Sequence, residues 1–302
     1  MSHLLNHNLP KYRKKLLFVG LGTMGYPMAG HLSKNQDLNL FVHNRTSNIT
    51  KNWLKDNKGN YYNPNDHLKS KFDGLITCLK DDASIIEVLI NQNLISTLKK
   101  NSFIVDHSTT SLGLVQKIAS NHKVIANNVS FYDAPVSGGE AGAINGSLSV
   151  MFGGPLKKIN IITKIMNSYA SSIIHIGPSG HGQLTKMVNQ ICIAGLIQAL
   201  SEGILLGKSL NLNMKKVFEA ISKGAAQSWQ MDNRFETMTN EQFDFGFAVD
   251  LMIKDLKIAL KESKDNNLNL KTSNQVLKQY KKLSKQGDGD LDTSSLIKLL
   301  NK

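Results

Sequence analysis

At 302 residues, with 41% hydrophobic and 20% charged residues, the chain is long enough for two domains and a full core without disulfides or metal, and its composition excludes disordered, fibrous and collagen-like classes. Thirty-six Lys and Arg against 23 Asp and Glu give a formal charge of +13, a field that favours phosphates, acidic metabolites or nucleic acid. Only three of these cations are arginines (Arg13, Arg45 and Arg234), and the other 33 are lysines spread over the chain, the pattern of a solvated surface. The denser runs are Lys11 to Lys15, read as an N-terminal arm, and Lys278 to Lys285, spaced as the exposed face of an amphipathic helix. The two cysteines, Cys78 and Cys192, sit far apart in apolar surroundings and are expected to be reduced and buried. Residues 1–14 carry no apolar signal core, and the most apolar stretch, Ile191 to Leu206, is broken by Gln198, Ser201 and Glu202. A cytoplasmic, soluble protein with no membrane partner is the expectation.

Through residue 177, short apolar runs alternate with helix-length segments: KLLFVG (15–20), LNLFVH (38–43), GLITCL (74–79), SFIVDHS (102–108), VSFYDA (129–134), SLSVMFGG (147–154) and SIIHIG (172–177). Continuous apolar strands separated by helices predict a parallel sheet covered on both faces. Beyond Gly177, Pro178 and Ser179 only helical periods follow, which places a domain boundary there: 1–177 as a doubly wound α/β domain, 178–302 as an all-helical one. From Gln183 to Lys208 apolar residues occupy most of the helix circumference, predicting a helix buried on nearly all sides that threads between the domains.

Directly after the first strand stands Gly20-Leu21-Gly22-Thr23-Met24-Gly25. The first glycine permits a tight turn, the second lets backbone approach a pyrophosphate, and the third lets helix pack on strand, with phosphate at the positive helix end. The second strand ends in Asn44-Arg45-Thr46, where an NAD-preferring fold would carry an acidic residue. Arg45 can pair with a 2′-phosphate and Thr46 can donate a hydroxyl, so NADP is favoured, with NAD as the alternative.

Four ordered blocks, GLGTMGYPMAGHL, DAPVSGGEAGAINGSLSVMFGG, GHGQLTKMVNQ and FAVDLMIKDLKIAL, resemble the β-hydroxyacid dehydrogenase family over nearly the whole chain. That family includes 3-hydroxyisobutyrate dehydrogenase and the tartronate semialdehyde (2-hydroxy-3-oxopropionate), glyoxylate and succinic semialdehyde reductases. The resemblance implies a Rossmann-type domain followed by an all-α domain, hydride transfer between a nicotinamide and a small carboxylate substrate in the cleft between them, and a homodimer or homotetramer. It further implies that Leu79 lies along the cofactor, that Thr109, Phe247 and Lys254 belong to the cofactor site, and that Asp255 follows Lys254 in the family's KDL block. Ser137, Gly138 and Gly139 match its carboxylate-binding segment, which free backbone N–H groups can turn into an anion-binding nest.

Lys186 matches the family's catalytic lysine, and an ammonium on so apolar a helix is costly unless it has partners or a task. Asn189 and Gln190 lie on the same face. Many relatives carry Asn four residues after the lysine, whereas here Gln190 holds that place and Asn189 offers an amide one position earlier, so either can contact substrate. Trp229 lines the substrate pocket or belongs to the core. Gly287 to Asp292 resembles a calcium loop but has Leu299 where glutamate is needed; a polar turn capping the last helix is expected, and no metal. The competing class is a non-catalytic, basic nucleic-acid-binding protein on the same fold; the intact set of Lys186, Ser137 and Lys254 argues against it, and no specific nucleic-acid partner is expected.

Overall fold

The structure, a computed structural model, describes residues 13–64 and 71–300; positions 11 and 12 of the first charge run lie outside them. Two compact units divide between Gln183 and Leu184, inside a helix and six residues beyond the boundary read from the sequence.

In the first unit the strands are β1 (Lys14–Val19), β2 (Leu38–His43), β3 (Asn60–Tyr61), β4 (Phe72–Thr77), β5 (Leu98–Asp106), β6 (Ser130–Asp133), β7 (Val136–Ser137), β8 (Leu148–Gly153) and β9 (Ala170–Gly177). Helices α1 (Gly25–Ser33), α2 (Ser47–Asp56), α3 (Asp82–Ile86), α4 (Leu112–Ala119), α5 (His122–Ala126), α6 (Gly139–Asn145) and α7 (Ile159–Met166) connect them. The first six strands pair in parallel in the order β3-β2-β1-β4-β5-β6. The chain first winds outward from β1 to β3 and then reverses through β4, so the switch point lies between β1 and β4, where doubly wound sheets bind ligands beyond the carboxyl ends of their strands. Alternate residues of β1 feed two cores: Leu16 and Phe18 pack with Met28, Val42 and Trp53, while Leu17 and Val19 pack with Leu75, Ile85 and Val115. Burial on both faces is why this strand reads as an unbroken apolar run.

The parallel sheet expected from the sequence is present from β3 through β6, and antiparallel pairing enters only beyond it. β8 runs antiparallel to both β6 and β7, and β9 pairs in parallel with β8. The pairs Asp133–Gly153, Val136–Val150 and Ser137–Ser149 keep one constant register. Thus β6 and β7 act as one strand that exchanges β5 for β8 as its partner. β3 and β7, two residues each, carry too little pattern to be read from sequence.

The second unit is helical, built on most of α8 (His181–Ser209) with α9 (Met214–Ile221), α10 (Trp229–Thr239), α11 (Val249–Asp265), α12 (Lys271–Leu283) and α13 (Ile297–Leu300). One core joins Ala194 and Ile197 to α11 and α12, a second joins Ile204 to α10. The 29 residues of α8 are long and apolar enough to cross a bilayer by length and composition. Its buried polar side chains nonetheless bond to protein atoms: Gln190 to Asp255, Gln198 to Glu202, Ser201 to the Ile197 carbonyl. The helix is not buried on nearly all sides as expected. Val188, Leu196 and Leu206 are exposed, as is Cys192, so that thiol is not buried; apolar composition all round does not say which side a neighbour covers. The lysines at 278, 281, 282 and 285 lie on exposed positions of α12 and the turn after it.

Tight packing sets one testable limit. A Cβ on Gly25 would fall 1.9 Å from the Gly20 carbonyl oxygen and 3.2 Å from the Phe18 ring, whereas a Cβ on Gly22 meets nothing within 4 Å. Gly25→Ala is therefore expected to lose about 1–3 kcal/mol and Gly22→Ala less than about 0.5, read as melting-temperature shifts side by side.

Candidate active site

The glycine loop turns at Gly20, whose φ of 101° and whose distance of 2.2 Å from an ideal Cβ to the Cys78 carbonyl oxygen admit only glycine. Asn44 at the end of β2 braces the loop, its Oδ1 accepting from the Leu21 N–H at 3.0 Å. Gly22 and Thr23 are exposed, Met24 is half-buried, and no side chain caps the start of α1. An uncapped helix start beside a glycine with open space above it is a cradle suited to a phosphate, and the residues present fit a dinucleotide. Arg45 and Thr46 stand exposed where α2 begins, and the Thr46 hydroxyl makes no cap bond. Leu79 follows β4 with its side chain against Gly20 and its N–H donating to Ser108 Oγ at 2.8 Å.

The loop after β5 carries half-buried Thr109 among buried polar neighbours. Asp106 accepts from Thr77 Oγ1 at 2.8 Å and from the Ser108 N–H at 3.0 Å, and burial pushes its carboxyl up to about 6. His107 is buried and held at about 4 by desolvation, hence neutral. Its Nδ1 lies 2.6 Å from the Ala134 carbonyl, which can only accept, so Nε2 accepts from Tyr169 Oη at 2.8 Å. Beyond β7, Gly138 and Gly139 take positive φ of 126° and 61° and lead from Ser137 into α6. The N–H groups of a helix's first turn have no partner within the helix and are the kind of donors that an anion needs.

In the second unit Lys186 is 6% exposed. Burial draws its ammonium down to about 8, with the Asp255 carboxylate opposing and the Lys254 cation assisting the fall. A lysine so placed can both give and take a proton near neutral pH. Asp255 is buried, accepts from Gln190 Nε2 at 2.7 Å and pairs with Lys254 Nζ at 3.2 Å. Gln190 in turn accepts from Asn189 Nδ2 at 2.8 Å. Both polar ends of Gln190 are thus engaged within the protein, while Asn189 is half-buried. Phe247 packs partly buried against the core around α11, its N–H bonded to Asp292. Trp229 is 53% exposed, so the core alternative for it falls; the Arg234 guanidinium stacks 5.1 Å from its ring centroid and is anchored by Asp292. The polar loop expected to cap the last helix instead caps the 3-10 turn Thr293–Leu296 that runs into α13, Asp292 accepting from the Ser294 N–H. Sequence reasoning missed Asp133 and Gln183, whose buried polar groups sit inside two of the motif blocks; a polar side chain at an apolar position was the available signal.

A family model described as the NAD binding domain of 6-phosphogluconate dehydrogenase matches residues 15–177. One described as NAD-binding of NADP-dependent 3-hydroxyisobutyrate dehydrogenase matches residues 180–300. The chain is 42% identical over 290 residues to an uncharacterized oxidoreductase of Shewanella frigidimarina (strain NCIMB 400), covering 95% of this chain and 98% of that protein. It is 30% identical over 287 residues to the 2-hydroxy-3-oxopropionate reductase of Escherichia coli (strain K12), covering 95% and 97%. In fold it is similar to Mycobacterium tuberculosis 3-hydroxyisobutyrate dehydrogenase with L-serine, at a TM-score of 0.85 and 23% identity over 96% of this chain and 100% of that one. With matches running through both units, the chain belongs to the β-hydroxyacid dehydrogenase family of NAD(P)-dependent oxidoreductases.

Proposed function

We propose that the protein interconverts a small 3-hydroxy acid of the 3-hydroxyisobutyrate type and its semialdehyde with NADP as cofactor, 2-hydroxy-3-oxopropionate being the competing substrate. The observation that carries this is Lys186, a buried ammonium drawn down to about 8 on a mostly apolar helix. The nicotinamide, when bound, supplies or accepts the hydride. The backbone from Ser137 to Gly139 holds the substrate carboxylate. Lys186 donates its proton to the carbonyl oxygen in reduction and takes it back from the hydroxyl in oxidation. Asn189 offers its amide to the substrate, and Lys254 and Phe247 serve the cofactor. On the cofactor side Gly20 to Gly25 hold the pyrophosphate, Arg45 and Thr46 the 2′-phosphate, and Leu79 and Thr109 flank the rest. The exposed apolar residues of α8 support a further proposal, association into a homodimer or homotetramer, which sedimentation velocity checks by mass.

Reductive kcat/KM is expected to fall as pH rises through about 8 and oxidative kcat/KM to rise, because the first needs the protonated lysine and the second the neutral one. Lys186→Met keeps the apolar stem and removes the ammonium, so turnover should drop by about 10² to 10⁴-fold while melting temperature and NADPH affinity stay near wild type. A well-folded variant keeping more than roughly a tenth of its turnover would remove Lys186 from this role.

Arg45→Asp removes the guanidinium and adds a repelling carboxylate. The ratio of NADPH to NADH efficiency should fall by roughly ten- to a hundred-fold, measured at the nicotinamide absorbance with both acids and both semialdehydes.

A further inference from the structure

Gln183, in the first turn of α8, is fully buried at 0% exposure. A primary amide in that position costs free energy unless both its ends are bonded. Both ends are bonded, and to the same short segment: Nε2 donates to the Ser108 carbonyl at 2.7 Å and Oε1 accepts from the Thr110 N–H at 3.1 Å. The side chain therefore acts as a peptide group, bracketing Thr109 from both sides. Other contacts secure the borders of this loop: Ser108 N–H to Asp106, Leu79 N–H to the Ser108 hydroxyl, and Ser111 N–H to Asp82 Oδ1 at 2.9 Å. The Gln183 amide spans the middle. Its own backbone is held as well, since its N–H donates to Asp133 Oδ2 at 2.9 Å.

The loop follows β5, beyond the carboxyl ends of the strands on the far side of the switch point from the glycine loop. We infer that Gln183 is a positioning residue, clamping the 108–110 backbone so that Thr109 is presented to the nicotinamide half of the dinucleotide in one fixed geometry. This rests on the dehydrogenase function proposed above. A leucine would fill the same volume, but only a carboxamide supplies a donor and an acceptor at peptide spacing.

The test compares wild type with Gln183→Leu and with Gln183→Met, the second keeping length and flexibility should the first fail to fold. Without cofactor, hydrogen exchange at the Thr110 amide should quicken by roughly 5- to 150-fold, as for a lost buried hydrogen bond. With NADPH, affinity should stay within about threefold, the glycine loop and Arg45 being untouched, while the emission of bound nicotinamide moves towards that of the free cofactor. Turnover should fall by up to about 10²-fold with KM little changed, the signature of misplacement rather than unfolding. Folded variants with wild-type exchange at Thr110, or with wild-type nicotinamide emission and turnover, overturn the assignment. If wild type itself fails to bind NADPH, the proposed function falls, and the exchange measurement alone decides whether Gln183 clamps the loop.

Discussion

A helix begins with backbone N–H groups that no residue of the helix can satisfy, and at the start of α8 a single carboxylate meets two of them. Asp133, at the end of β6 and fully buried, accepts from Gly180 at 2.7 Å and from Gln183 at 2.9 Å. The helix end is positive, so the arrangement stabilises the charged carboxylate against a desolvation that pushes its pKa up to about 6. The approach is close: an ideal Cβ on Gly182 would lie 2.3 Å from the Asp133 carbonyl oxygen. Only glycine lets the first turn of α8 start so near the strand.

Lys186 answers to a different balance. Removing an ammonium from water favours the neutral amine, the neighbouring Lys254 adds to that tendency, and the Asp255 carboxylate resists it. Because Asp255 also pairs with Lys254 and receives the Gln190 amide, one buried anion connects the KDL block to the face of the helix that carries the lysine. The chain Asp255, Gln190, Asn189 fixes both polar ends of Gln190. Its length at this position is used to reach a carboxylate, which a shorter Asn at 190 would reach less well.

What could be read from the sequence was local. The glycine loop, the unbroken apolar strand of Leu16 to Val19 and the cation at Lys186 beside an apolar run each carry their signal within a few residues, because steric, burial and desolvation demands act on the residue itself. Gln183 and Asp133 gain their meaning from partners 75 and 50 positions away, which no window of sequence contains. The same reason hid the exposed stripe of α8 and the exposure of Cys192: periodicity identifies an apolar helix, but only neighbours decide which side is covered. Trp229 was undecidable for the opposite reason, an aromatic being at home both in a core and stacked on a cation such as Arg234.

The unbroken register of β6 and β7 against β8 fixes the length of the segment between them. Asp133 faces Gly153 and Ser137 faces Ser149, four residues apart on both strands. Successive side chains in a strand point to opposite faces, so gaining or losing one residue between Ala134 and Val136 would turn Ser137 to the other side of the sheet. It would also move the Gly138–Gly139 turn by one step against α6. Asp133 would stay where it is, still capping α8. Length variation here would thus separate two things that the native chain couples: the anchoring of the long helix and the aim of the serine that precedes the glycine turn. A chain altered in this way would keep the helix anchor and lose the present aim of Ser137, which makes the three residues from 134 to 136 a spacer whose count matters more than its composition.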